Sequence, residues 1–514
     1  MLPVFAFDHA HDAPPRELTD LLGGKGAGLA EMTSVLGLPV PPGFTIAVPL
    51  CRAYREGGWP DGLDEAIAGQ LSELESRMGR RLGDPADPLL VAVRSGAPRS
   101  MPGMLDTVLN LGLNDETVEG LAAVSGNADF AWDSYRRFLT MYATTVLGVT
   151  PPATDGPPKD RVAVLRRELP RIPQDPVAQL RAAVEAVFRS WDSPRARSYR
   201  AHEGIADDLG TGVTVQAMVF GNRDERSGTG VVFTRDPSTG ENRPYGDFLP
   251  RAQGEDVVAG IARTLTLDDM AAQLPEAHRD LTGRLGLLEA HYRDLCDVEF
   301  TVEQGRLFIL QTRVGKRGAV AAVRIAADLL RDNVITADEA RARTDGLRDR
   351  ARDEVLAAAR QGSTSEPLAR GLGASPGRAT GIAVLDADAA ADATTDVVLV
   401  RPETSPADVH GMGVSAGILT STGGLVSHAA VVARGWGLPA VVGAGDLVVG
   451  EADVRTAAGE VLFAAGDTIT IDGTTGEVWR GELAAGSTDL SDEDILARDL
   501  PELSALTGPA RPGT

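Results

Sequence analysis

Cysteine is nearly absent, with Cys51 and Cys296 the only two in 514 residues. That excludes a disulfide scaffold, and each is expected as a buried, reduced thiol. Long hydrophobic runs are missing as well: no stretch approaches the roughly 18 uncharged apolar residues that a membrane-spanning helix needs. The opening Met-Leu-Pro-Val-Phe-Ala-Phe-Asp-His has neither a basic leader nor a long apolar core, so a cytoplasmic protein is expected. Basic charge is in deficit, with 50 Lys and Arg against 73 Asp and Glu and a net charge of −23. Such a balance disfavours nucleic acid and anionic membranes as partners. It does not oppose a nucleotide site, which needs only local Lys, Arg and metal ions. The remaining composition, 43% hydrophobic and 24% charged, describes a globular chain long enough for three or four structural units.

The chain is organised around Ser421-Thr-Gly-Gly-Leu-Val-Ser-His428-Ala-Ala-Val-Val-Ala-Arg-Gly-Trp-Gly437. An apolar run from Gly417 to Leu419 leads in as a buried strand, and Gly423 and Gly424 permit a tight turn. Ser427 stands where an N-cap belongs, and Ala429 to Arg434 are helix formers stopped by Gly435. His428 therefore falls at the first helical position, where unpaired N–H groups and the helix dipole favour an anion. Unprotonated imidazole is a competent nucleophile near neutral pH, and a phosphoryl group carried on it would be well placed there.

Three further stretches carry chemistry. Leu21-Leu-Gly-Gly-Lys25-Gly-Ala-Gly is a glycine-rich loop entering a helix; Gly26 after Lys25 excludes a Walker loop, which requires Ser or Thr there. Val91-Ala-Val-Arg94-Ser-Gly-Ala-Pro-Arg99 sets two cations and a flexible glycine after a buried strand. Asp297 to Arg313 forms two alternating strands about a turn at Gln304-Gly305, which is a hairpin. Alternation places Asp297, Glu299 and Thr301 on one face, with Gln311 and Arg313 sharing a face on the return strand. Such oxygen ligands suit Mg²⁺, and Arg313 can stabilise charge on a transferred group.

The segment Gly-Gly-Leu-Val-Ser-His-Ala-Ala-Val-Val-Ala-Arg-Gly resembles the phosphohistidine segment of the pyruvate, phosphate dikinase family, relatives of phosphoenolpyruvate synthase and rifampin phosphotransferase. The Lys25 and Arg94 stretches and the hairpin resemble the ATP-grasp domain of the same family. The resemblance implies that His428 is phosphorylated from ATP, with Arg313 as a second catalytic residue. It further implies ATP binding by Lys25, Arg94, Gln216, Met218, Thr229, Glu255 and Asp297, and Mg²⁺ held by Glu299 and Gln311. Thr404 and Ser405 lie in Arg401-Pro-Glu-Thr-Ser-Pro406, which recurs beside the histidine loop; each reads either as a phosphoryl donor or as a turn residue. His410 reads as structural. In plant members a regulatory Thr stands two residues before the histidine, and here that position is Val426, so this switch is expected to be absent.

The expected fold is an α/β and α+β multidomain chain, an ATP-grasp nucleotide domain plus a swivelling β/α phosphohistidine domain. Its expected parts are residues 1–110 and 211–318 for the two halves of the ATP-grasp, with a mainly helical subdomain at 111–210. A helical connector and linker at 319–367, the swivel domain at 368–482 and a disordered tail at 483–514 complete it. By resemblance, ATP with phosphate would phosphorylate His428 and release AMP and pyrophosphate. Because the resemblance ends near residue 482, transfer to pyruvate is expected to need a separately encoded phosphoenolpyruvate/pyruvate barrel protein. The alternatives are a phosphotransferase to another small molecule, in the manner of rifampin phosphotransferase or phosphoenolpyruvate synthase, and a non-catalytic, phosphorylation-responsive partner protein. Lys25, Arg94, Glu299 and Gln311 together argue against the last.

Overall fold

The computed structural model describes residues 2–99, 101, 105–259, 264–360, 366–425, 427–483 and 490–506. Val426, most of the linker expected at Gln361 to Pro367, and the last residues of the expected tail (507–514) lie outside them. The chain divides into two compact units, Met1–Ser227 with Thr301–Thr312, and Gly228–Phe300 with Arg313–Thr514.

The first unit is built on a five-stranded sheet in the order Val4–Ala6, Gly43–Ile46, Gly212–Ala217, Val91–Gly96, Thr107–Leu111. All four pairings are antiparallel. Register sorts the two faces, since Arg94 lies opposite Thr214 and Ala92 opposite Gln216. Gly43 in turn lies opposite Gln216, and Thr45 opposite Thr214. With a side-chain period of two, those residues share one face and Phe44, Ile46, Val91, Val93, Val213 and Val215 share the other. The apolar set is buried to 1% exposure or less and joins a core with Phe130, Tyr135, Phe138 and Phe188 from the helical stretch. Helices Ala128–Tyr142 and Pro176–Ser190 supply those aromatics, starting at Asn127 and Asp175, whose side chains accept from Phe130 N and Val177 N.

In the second unit, strands Gly228–Phe233 and Tyr245–Pro250 pair antiparallel. Three connector helices follow, Ala319–Arg331, Ala337–Arg343 and Arg348–Ala359, the second opened by a capping box of Thr336 and Glu339. An eight-stranded sheet then holds four consecutive parallel strands, Arg378–Val384, Val397–Arg401, Gly417–Thr420 and Ala440–Val442. Ile418, Leu399 and Val442 from this sheet bury against Ala429, Ala430 and Ala433 of the helix His428–Trp436.

The tail corrects the sequence reading. Residues expected to be disordered instead form the helices Asp492–Asp499 and Glu502–Leu506. Ile495, Leu500 and Leu506 are buried to 1% or less against the connector residues Val323, Ile325, Leu329 and Val355. The acidic run that suggested disorder is the first turn of a helix capped by Ser491, where carboxylates complement the dipole. Both cysteines are buried and free, and burial lifts both thiols above their ordinary range. Among the described residues, no helix is long and apolar enough to cross a membrane.

Candidate active site

Lys25 lies in helix Thr19–Ala30, which kinks at Gly23 (φ 71°, ψ 158°) rather than emerging from an open loop. The kink has a packing cause. A Cβ at Gly23 would overlap the Gly96 carbonyl, and a Cβ at Gly96 would lie 3.2 Å from Lys25 Cβ. Two glycines thus allow the Lys25 helix to press onto the strand carrying Arg94, and Gly24 N donates to Ala97 O at 2.9 Å. Arg94 is inside that strand, not after it. Gln216 is 3% exposed on the same polar face, its amide donating to Pro41 O at 3.1 Å, and Met218 follows the strand end with its N–H on Leu90 O. The Lys25 helix, Arg94, Gln216 and Met218 are therefore assembled about one sheet.

Thr229 sits in strand Gly228–Phe233, and its hydroxyl donates to Phe300 O at 3.0 Å. That commitment leaves it lone pairs, not its proton, to offer a phosphate. Glu255 lies in the first turn of helix Gly254–Ala259, directly after Gly254, where an added Cβ would stand 4.0 Å from Thr229 Oγ1.

The hairpin strands are Cys296–Glu303 and Arg306–Val314, joined at Gln304 and Gly305, both with positive φ (52° and 82°). Arg313 Nε donates to Asp297 Oδ2 at 2.7 Å, and its Nη2 stands 3.8 Å from Glu299 Oε1. Gln311, two residues before Arg313, faces the same way by alternation. Asp297 is 5% exposed, its Oδ1 has no hydrogen-bond partner, and burial pushes its carboxyl above the usual range against the pull of Arg313. Two carboxylates on one face, one carrying an unsatisfied buried oxygen, form an environment that asks for positive charge; the residues fit a hard, oxygen-seeking cation such as Mg²⁺. Among the described residues, no group of three or more His, Cys, Asp or Glu is arranged to hold a metal. A metal at the hairpin would thus need oxygens beyond this pair of acids, such as Gln311 and a substrate's phosphates.

His428 is the first residue of helix His428–Trp436, whose N-cap Ser427 accepts from Ala430 N. The helix passes through Gly435 and ends at Gly437 (φ 64°), two residues later than the glycine pattern suggested. Its start lies beyond the carboxyl end of the parallel strand Gly417–Thr420, the edge at which such sheets place ligands. The neighbouring strand ends in register, Arg401 opposite Thr420, so two loops leave side by side. They are tied together, with Ser421 N donating to Arg401 O at 3.3 Å and Thr422 N to Pro402 O at 2.9 Å. This zipper carries Thr404 to the imidazole, and Thr404 Oγ1 lies 3.0 Å from His428 Nδ1. Ser405 does not turn to the histidine: it forms a capping box with Asp408, whose Oδ2 accepts from Ser405 N and Oγ. Burial lowers the His428 pKa below its ordinary 6.5, opposed by the nearby Asp408, and so favours the neutral ring at pH 7. His410 is engaged with Asp388 at 2.8 Å. Sequence reading left Thr404 undecided between two roles because pairing across adjacent parallel strands has no local signature.

The fold and these sites define a mixed α/β multidomain protein with several sheets. Residues 53–277 match the family "Pyruvate phosphate dikinase, AMP/ATP-binding domain", and residues 393–476 match "PEP-utilising enzyme, mobile domain". The chain is 45% identical to pyruvate, phosphate dikinase of Rhizobium meliloti, over 95% of this chain and 59% of that protein. It is 45% identical to the chloroplastic enzymes of Flaveria trinervia and of Oryza sativa, over 93% of this chain and 53% and 54% of theirs. The chain belongs to the pyruvate, phosphate dikinase family and spans less than two thirds of the length of these curated relatives.

Proposed function

We propose that this chain performs the nucleotide half of a dikinase reaction, phosphorylating His428 at the expense of ATP. The observation that carries the reading is the imidazole itself: neutral, at a helix start, with Nδ1 engaged by Thr404. With its proton on Nδ1, the ring donates to Thr404 Oγ1 and leaves the Nε2 lone pair free to attack. Nε2 bonds to the β-phosphorus of ATP while the bond to the AMP oxygen breaks. Orthophosphate then attacks the outer phosphorus, pyrophosphate departs, and phospho-His428 remains. The phosphorylated ring is cationic and keeps an Nδ1–H, which Thr404 continues to accept. Lys25 and Arg94 hold phosphate oxygens, Gln216 and Met218 border the adenine, Thr229 and Glu255 lie along the nucleotide, and Arg313, released from Asp297, meets charge developing on the transferred group.

Glu299 and Gln311, with Asp297 beside them, would hold Mg²⁺, which neutralises phosphate charge when bound. In this reading the nucleotide region is an ATP-grasp and the histidine region swivels on the connector. The relatives' name pairs pyruvate and phosphate as acceptors, and we assign the onward step to pyruvate to a phosphoenolpyruvate/pyruvate barrel outside these 514 residues. The test is incubation with Mg²⁺ and ATP labelled at the β-phosphorus. Acid-labile label should appear on the protein with release of AMP, and His428→Ala should carry none; equal labelling of that variant refutes the proposal.

A further inference from the structure

Arg434 sits in the last turn of the helix that begins at His428, and it is 2% exposed. Arginine is almost never buried so completely without partners that compensate its lost hydration. Nη1 donates to Ala374 O at 2.8 Å, and Nη2 to Leu425 O. The guanidinium also lies over the Phe233 ring, 5.3 Å from its centroid. Tyr245, Asp297, Asp236 and Asp247 act on it electrostatically. Compensation is therefore distributed among carbonyl oxygens, a ring face and nearby acids.

The Leu425 carbonyl is what makes this arrangement informative. Leu425 belongs to the loop that delivers the chain to the N-cap Ser427, directly after Gly423 (φ 97°) and Gly424. Two glycines give that loop the freedom to take several paths. Gly424 also packs so closely on Asp247 that a Cβ would collide with the carboxylate. A side chain from the far end of the same helix reaches back and fixes the loop, which closes a ring around the helix start where His428 sits. The second bond, to Ala374 in strand Leu372–Ser375, anchors that ring to the sheet.

We propose that Arg434 is a positioning residue for phosphoryl transfer at His428: its fork holds the Leu425 and Ala374 carbonyls so that the loop and helix start present the imidazole in one orientation. This rests on the phosphohistidine reading, so its test has a readout independent of activity. Arg434→Lys keeps the charge but cannot hold two carbonyls at fork geometry. The ring nitrogen signals of His428, among the seven histidines, report its tautomer by nitrogen NMR whether or not any label forms. In Arg434→Lys we expect the thermal midpoint and ATP affinity to stay close to wild type and the His428 signals to move to averaged-tautomer positions. Labelling should fall about 10²-fold, the scale of a reacting group displaced by about an ångström.

Wild-type nitrogen signals together with wild-type labelling in Arg434→Lys overturn the proposal. A wild-type protein that takes no label refutes the phosphohistidine reading instead, and the nitrogen signals then decide the role of Arg434. If Arg434→Lys does not fold, Phe233→Leu serves, since it removes the ring face and leaves both carbonyl bonds. It should keep the single-tautomer His428 signals; averaged signals in a folded Phe233→Leu protein would show that the carbonyl bonds do not position the ring, and would overturn the proposal.

Discussion

Thr404→Val removes one hydroxyl and nearly nothing else, which makes it the sharpest probe of the histidine site. In the wild type the Oγ1–Nδ1 separation is 3.0 Å, a well-formed hydrogen bond. A neutral bond of this kind contributes about 1 kcal/mol net, or roughly fivefold in the population of the reactive tautomer. In the phosphorylated ring Nδ1–H belongs to a cation, and bonds to charged groups contribute about 1.5–3 kcal/mol. The product should therefore suffer more than the reactant, by about 0.5–2 kcal/mol, or about 2-fold to 30-fold in the equilibrium between ATP and phosphohistidine. With Nδ1 no longer engaged, some label should also appear on that nitrogen. The assay is single-turnover labelling with phosphorus NMR to distinguish the two phosphohistidine isomers. Thr404→Ser, which restores the hydroxyl, should recover most of the rate and the single isomer. A Thr404→Val protein that labels at the wild-type rate and only on Nε2 would refute the reasoning, because Thr404 would then be a turn residue that happens to lie nearby.

Glu299→Ala and Gln311→Ala should each slow AMP release by roughly 10²–10³-fold with an unchanged circular dichroism spectrum, the scale seen when one charge-stabilising group is removed; undiminished turnover in both would sink the metal assignment. Labelling should persist as pH falls through 6.5 and decline only below it, because burial depresses the His428 pKa; a midpoint above 6.5 would contradict the neutral, buried ring. The sign for stability agrees: the unfolded ring titrates at 6.5 and the folded one lower, so the contribution of His428 is complete above 6.5 and is lost as pH falls through the folded value. Gly23→Ala combines a positive φ with a clash on the Gly96 carbonyl and should cost roughly 3 kcal/mol or more in urea unfolding, whereas Gly24→Ala, whose Cβ would meet Ala97 O at an ordinary 3.4 Å, should be mild. Ending the chain before Leu490 strips Ile495, Leu500 and Leu506 from the connector core, a loss of about 5 kcal/mol at roughly 1.5–3 kcal/mol per buried side chain, read as a lowered melting temperature.

Local chemistry made much of this protein legible in the sequence. Ser427 followed by alanines and valines, with glycines on both sides, can only be the start of a short helix, so the place of His428 was set by capping physics. The hairpin at Gln304-Gly305 was equally local, since alternation and a two-residue turn determine which side chains share a face. The capping box at Thr336 needed nothing beyond a spacing of three. Tertiary structure decided the rest, in each case because the partner is distant in sequence. Thr404 meets His428 across 24 residues because two parallel strands end in register. The tail folds because Ile495 and Leu500 find a helical surface more than a hundred residues away, which outweighs an acidic composition that by itself would leave it unfolded. The Lys25 helix kinks because Gly96, not its own sequence, demands the approach. Arg434 looked like one more helix-forming residue until packing buried it and left the Leu425 carbonyl within reach. Capping, turns and alternation act over a few residues and are written in the chain, whereas burial and long-range hydrogen bonds exist only once the sheets have brought those residues together.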